Sequence, residues 1–269
     1  MKRELKMLLL SLILVALFGA TAMATTFDLT GVGTTGTGTA AVGGTFLVSN
    51  MEMSPTGTGV LDSFLRIQQT GQERGYNTDA SPVPLDDKAG AFTHSLPLGT
   101  IPTKLIGGVL YREFILDANQ TGVNPFLSLN QVQIFLGPDP GNSFSLTEAS
   151  ASTDAVIAFS GLTQVFEMNA LNTSAAARTE VLIDFDHGSG SGDMFLYVRD
   201  SVFTGGPDTN VVLFSQFGTP RGTFFSNDGF EEWAVRGGGV SVPEPATLLL
   251  LGFGLVGLAG FGRKRYIKK

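Results

Sequence analysis

Short runs in which apolar and polar residues alternate recur along the middle of the chain. In Gln131–Leu136, Val132, Ile134 and Leu136 fall on one face, with Gln131 and Gln133 on the other. In Met194–Arg199, Met194, Leu196 and Val198 oppose Phe195, Tyr197 and Arg199. A period of two is that of a strand with one face turned to a core, so both runs predict half-buried strands. Thr45–Ser49, Phe64–Gln68, Gly108–Asp117, Ala155–Ser160, Glu180–Phe185, Val211–Phe217 and Phe230–Arg236 read the same way, which makes about nine strands. Turns rich in Gly, Pro, Asn and Asp separate them. Only Ala170–Arg178 reads as a short helix, and no strand–helix alternation favours a parallel sheet. The pattern predicts an all-β fold, an antiparallel two-sheet β-sandwich of the jelly-roll kind, over residues 45–236.

Two stretches depart from that pattern. Gly31–Gly44 is a run of Gly, Thr, Ala and Val with little to bury, so residues 25–44 read as a flexible arm or a threonine-rich edge strand. Residues 237–242, beginning Gly237-Gly238-Gly239, read as a tether.

Both ends are apolar, but with different flanks. Lys2, Arg3 and Lys6 precede the apolar stretch Met7–Phe18, and Ala22-Met23-Ala24 supplies a small-x-small cleavage site. That order is a secretory signal over residues 1–24, with Ala22 and Ala24 read by signal peptidase after the translocon. About a dozen apolar residues are short for a bilayer core of roughly 30 Å, so the expected mature chain begins near Thr25. At the other end Val242-Pro243-Glu244-Pro245 leads into the apolar stretch Leu248–Phe261 and then Arg263-Lys264-Arg265-Tyr266-Ile267-Lys268-Lys269. Two prolines around Glu244 hold that peptide extended, as a recognition cleft requires. As a helix, residues 246–262 would span about 25 Å, just enough to cross a membrane. Arg263, Lys264 and Arg265 would stop it there with the tail on the cytoplasmic side and the body outside.

Pro243, Glu244 and Pro245, the glycine-studded stretch to Phe261 and the basic tail together resemble the PEP-CTERM sorting signals of Gram-negative bacteria. The resemblance covers about the last 28 residues. It implies recognition and cutting near the motif by a membrane-embedded, transpeptidase-like exosortase, in bacteria that often make extracellular polysaccharide. The nucleophile would belong to that enzyme. Stretches such as Leu61–Gln68, Gly75–Thr78, Ser189–Met194 and Gly229–Ala234 also look like globular regions found with such signals, a resemblance that implies no site.

Charge narrows the partners. The formal −7 conceals basic ends, and between Thr25 and Val242 nine Lys and Arg face 22 Asp and Glu, a formal −13. Such a body repels a phosphate backbone, so no nucleic-acid role is expected, while cations and neutral sugars remain compatible. No cysteine is present, which removes disulfides, thiolate metal sites and thiol nucleophiles.

The richest chemical constellation is Asp184-Phe185-Asp186-His187 followed by Gly188 to Asp193. Asp184 and Asp186 on one strand face, with Asp193 returned by a glycine-rich hairpin loop, would form a hard-oxygen set for Ca²⁺. The spacing is not that of an EF-hand, and because Asp and Gly are ordinary turn formers the same residues read first as a plain hairpin loop. Neither His94 nor His187 belongs to a metal-binding pair or a nucleophile elbow. Glu231 and Glu232 are adjacent and would point to opposite faces of a strand, so they cannot form a direct carboxylate pair. Trp233 reads as core or as a sugar-stacking platform.

The expectation is therefore a non-enzymatic envelope or matrix protein without an essential cofactor, exported through the inner membrane to the periplasm, surface or matrix. A lectin-like polysaccharide module, with or without Ca²⁺, and a carbohydrate-active hydrolase stay open as alternatives.

Overall fold

The computed structural model describes residues 25–31, 33–51, 61–120, 124–148, 155–171, 173–174, 177–184, 192–218, 224–227 and 229–237. In chain order the strands begin with β1 (Thr25–Asp28), β2 (Thr35–Thr39), β3 (Thr45–Ser49), β4 (Leu61–Ile67), β5 (Thr70–Gly71) and β6 (Glu73–Tyr76). There follow β7 (Leu96–Pro97), β8 (Thr103–Ile106), β9 (Val109–Asn119), β10 (Phe126–Gly137), β11 (Ser145–Glu148) and β12 (Ala155–Ala158). The last are β13 (Thr163–Glu167), β14 (Thr179–Asp184), β15 (Met194–Arg199), β16 (Asn210–Phe217), β17 (Ser226–Asn227) and β18 (Phe230–Arg236).

Two seven-stranded sheets carry the fold. Sheet I runs β1-β14-β10-β16-β6, with β13 beside β10 and β7 beside β16. Sheet II runs β2-β3-β15-β9-β18-β4, with β8 beside β9. Pairing is antiparallel except where β1 joins β14. The short ribbons β11-β12 and β17-β5 complete the described pairing. The expected all-β sandwich is therefore what the chain forms.

The inner faces meet in one apolar cluster. Sheet I sends in Leu129, Val132, Ile134, Val181 and Leu213, and sheet II sends in Phe46, Phe64, Phe114, Leu196 and Trp233. Each such side chain contributes about 1.5–3 kcal/mol on burial, so this layer is the main favourable term.

The half-buried expectation for β10 and β15 needs correction. Gln131 and Gln133 do point away from Val132 and Ile134, but they are buried, as are Phe195 and Tyr197. The cause is a second covering on sheet I and, on sheet II, crowding by side chains of the same face, with Lys104 and Arg236 against the Phe195 ring. Over sheet I, Tyr76, Phe135, Val212 and Phe214 pack with Ile157 and Phe159 from the β11–β12 ribbon side. Over sheet II, Tyr111, Ile115, Phe195 and Tyr197 pack with Leu47, Leu61, Ile106 and Val109. Beneath the ribbon, Gln133 serves as a substitute peptide group. Its Nε2 donates to the Ile157 carbonyl (3.2 Å) and its Oε1 accepts from the Ile157 amide (2.7 Å). Gln131 holds Asn169 in the same way, at 2.6 and 3.0 Å.

Two further expectations resolve here. Of the alternatives for residues 25–44, the strand is realised, because β2 edges sheet II in register with β3. Its Thr-Gly alternation is a packing device. Thr35, Thr37 and Thr39 face solvent, and Gly36 and Gly38 lie beneath the Phe27 and Phe46 rings, where a Cβ on Gly38 would fall 2.4 Å from Phe46. The short helix over Ala170–Arg178 is replaced, among its described residues, by turns in which Thr173 N–H reaches Ala170 O (3.1 Å) and Ala177 N–H reaches Ser174 O (2.9 Å). Thr173 Oγ also donates to Ala170 O (2.6 Å), a local bond that competes with helix propagation.

The β2 packing predicts that Gly38→Val lowers stability by about 1–3 kcal/mol, because Phe46 is enclosed and cannot yield. The outward Thr37→Val should stay within about 0.5 kcal/mol. Urea midpoints of the two variants against the parent check this.

Candidate functional site

The segments expected to carry sorting, Ala22 and Ala24, Pro243 to Pro245, the stretch 246–262 and Arg263 to Arg265, lie outside the described residues, as do Asp186 and His187. The packed body closes with β18 at Arg236. Among the described residues no helix is long and apolar enough to cross a membrane.

The acidic loop does not have the expected connectivity. Asp184 ends β14 in sheet I, opposite Phe126, whereas Asp193 precedes β15 in sheet II. β14 and β15 therefore lie in different sheets and are not paired as a hairpin. Asp193 is buried and ties the start of β15 to β9: its amide donates to Leu116 O (2.7 Å) and its Oδ2 accepts from the Ala118 amide (2.7 Å). Two aspartates from different sheets, one already serving a backbone amide, are a weaker donor set than a single loop would provide. Among the described residues no group of three His, Asp or Glu is gathered as a metal cage.

The remaining sequence candidates fall into place by burial. Trp233 is fully enclosed, and its Nε1 donates to Ser215 Oγ (2.9 Å), joining β18 of sheet II to β16 of sheet I. It is core and not a platform. Tyr76 is likewise enclosed, with its hydroxyl donating to Gly141 O (2.7 Å), and burial pushes that hydroxyl's pKa up. His94 sits with its ring nitrogens 2.8 Å from Ser95 O and 3.1 Å from Ser63 O, a loop fastening. Glu231 and Glu232 do point to opposite faces. Glu231 enters the interior, and Glu232 turns outward to pair with Arg66.

Sequence reasoning missed the partner of Glu231. Glu73, on β6, is also fully enclosed, and the two carboxyl groups lie near enough between the sheets to act on each other. Burial first, and the charge of Glu231 second, hold the Glu73 carboxyl well above its usual range. A third enclosed carboxyl, Asp87, lies against Gly75, where a Cβ would come 1.7 Å from Oδ1. Burial pushes it up to about 9, against a weak bond from the Tyr76 amide (3.4 Å). The sequence did not signal this contact, since Gly75 and Asp87 stand 12 positions apart.

Two surface features remain. A groove of about 380 Å³ on the outer side of sheet II is lined by Leu47, Met51, Leu105 and Tyr197, with the Lys104 ammonium 3.3 Å from the Tyr197 hydroxyl. Across that sheet Arg66 lies between two exposed rings, its guanidinium carbon 3.6 Å from the Phe92 centroid and 4.9 Å from that of Phe230.

A family model described as the PEP-CTERM protein-sorting motif matches residues 241–265. The match takes in Pro243, Glu244, Pro245 and Arg263 to Arg265. No curated protein matches the chain. The motif marks an exported protein that an exosortase processes and that associates with the membrane on the way.

Because the chain has one tryptophan, its emission reports this core directly. Folded protein should emit at short wavelength, resist acrylamide quenching and shift to the red on unfolding. Trp233→Phe should cost about 1–3 kcal/mol in a urea titration, since Ser215 Oγ is left enclosed without its donor.

Proposed function

We propose that this chain is a non-enzymatic cargo of the envelope or extracellular matrix: an acidic β-sandwich exported behind a cleaved signal and released or re-anchored when an exosortase acts at Pro243-Glu244-Pro245. The single observation that carries the reading is the sorting-motif match at residues 241–265, shortly after a body whose last described strand ends at Arg236. Processing would then cut outside the packed strands. The spacing from Arg236 to Pro243 gives an enzyme room to grip an extended neck without unfolding β18.

The division of chemistry supports it as well. The nucleophile and its base would belong to the processing enzyme, and the paired acids of this chain, Glu73 and Glu231, are enclosed where no substrate reaches.

A second reading, a module for neutral extracellular polysaccharide, is favoured by the exposed Phe92 and Phe230 rings around Arg66, since flat apolar rings beside a fixed donor suit a pyranose. Loss of polysaccharide retention in Phe92→Ala/Phe230→Ala, with the fold intact, would support it, and unchanged retention would remove it.

For the sorting reading, mass spectrometry of the protein from a host with an active exosortase should find an amino terminus near Thr25 and no Arg263–Lys269 tail. Deletion of residues 243–269 should abolish delivery to the same fraction. An intact Lys269 in that host would contradict the proposal.

A further inference from the structure

The interior of the sandwich holds a second, unrelated chemical device where β6 of sheet I approaches β18 of sheet II. Glu73 Oε2 accepts from the Gln69 amide (2.8 Å). Glu231 Oε1 accepts from Gln120 Nε2. The polarity of the second bond is fixed, because Gln120 Oε1 is already taken by the Asn227 amide (3.0 Å), which can only donate. Both outward oxygens are therefore acceptors. The other two oxygens, Glu73 Oε1 and Glu231 Oε2, are enclosed without a hydrogen-bond donor, and no ion pair among the described residues reaches either acid. Two enclosed anions near enough to act on each other, with Asp117 adding like charge to Glu231, would be strongly repelled. A hydrogen bond between two carboxyl groups needs one proton.

We propose that Glu73 and Glu231 share a single proton across the interior and so latch β18 to the opposite sheet, a latch that opens when alkaline pH removes that proton to solvent. Asp117, from β9, is the further acidic group whose like charge acts on Glu231, while Gln69, Gln120 and Ser226 supply the polar surroundings. The latched strand is the last described one, so the shared proton sets how firmly the end of the body is closed.

The sign follows from the raised position of the folded pair. Below about pH 4.5, the ordinary carboxyl value, the contribution is fully present. As pH rises the unfolded chain gives up its protons while the folded pair keeps one, so stability falls until the folded pair itself titrates. Asp87 and Glu167, also raised by burial, add slopes of the same sign. A comparison between variants cancels them.

The test uses the full chain in detergent micelles: unfolding equilibria and hydrogen exchange of the β18 amides from pH 5 to pH 9, for the parent, Glu73→Gln and Glu231→Gln. A glutamine places a permanent N–H where the shared proton lies. The parent's unfolding constant should climb with pH more steeply than that of either variant, by up to about tenfold per pH unit, and only the parent should lose β18 protection relative to the variants. Parallel slopes in parent and variants overturn the proposal. If neither variant folds, carboxyl-carbon NMR of the parent decides: one glutamate titrating far above the ordinary range upholds the latch, and none doing so overturns it.

Discussion

The contact between the inner faces of the two sheets is the interaction on which the rest of the structure depends. Successive strands do not stay in one sheet: β9 lies in sheet II and β10 in sheet I, β14 in sheet I and β15 in sheet II, and β16 returns to sheet I. A chain that crosses so often gains little from local contacts, and with no cysteine it has no covalent staple. Closure must come from Phe, Leu, Val and Trp233 packing across the gap, at the density of an organic solid. The glycines of β2 belong to the same constraint, since Gly36 and Gly38 leave the space that the Phe27 and Phe46 rings fill.

Polar groups enter that interior only under strict hydrogen-bond conditions. Gln131 and Gln133 imitate peptide units and carry neighbouring segments as extra partial strands. Trp233 reaches Ser215 across the gap, and Asn77 joins the Val211 carbonyl (2.9 Å) and the Leu213 amide (2.7 Å). Such satisfied links give the sheets one register, because a slip would strand every one of them without a partner. Glu73 and Glu231 obey the same rule at higher stakes, with a proton taking the place of a second residue.

The sandwich was legible because β3, β15 and β18 follow a period of two over the very residues that form them. Burial of Gln131, Gln133, Phe195 and Tyr197 was not legible: alternation tells which residues share a face, but not whether another layer or the face's own neighbours will close over them. The strand at Thr35–Thr39 was only half legible, since a Gly-Thr run reads as loose chain until Phe27 and Phe46 are seen above it. The link from Asp184 to Asp193 was misread because nothing in a glycine-rich loop tells a hairpin from a crossing. For the sites, the separation of Glu231 from Glu232 followed from strand parity alone, whereas the pairing of Glu231 with Glu73 depends on residues 158 positions apart meeting between sheets. The sorting motif was legible for the opposite reason, as its three parts stand consecutively at residues 241–265.

Fold and address are thus written in separate parts of the chain: a body closed by its own core, and a neck and tail to be read by another protein. A protease site inserted between Gly237 and Val242 allows the most direct measurement of that separation, the thermal unfolding midpoint of the body before and after the cut. An unchanged midpoint with the same cooperative transition is the predicted result. A body that melts earlier, or loses cooperativity, once residues 243–269 are severed would contradict it.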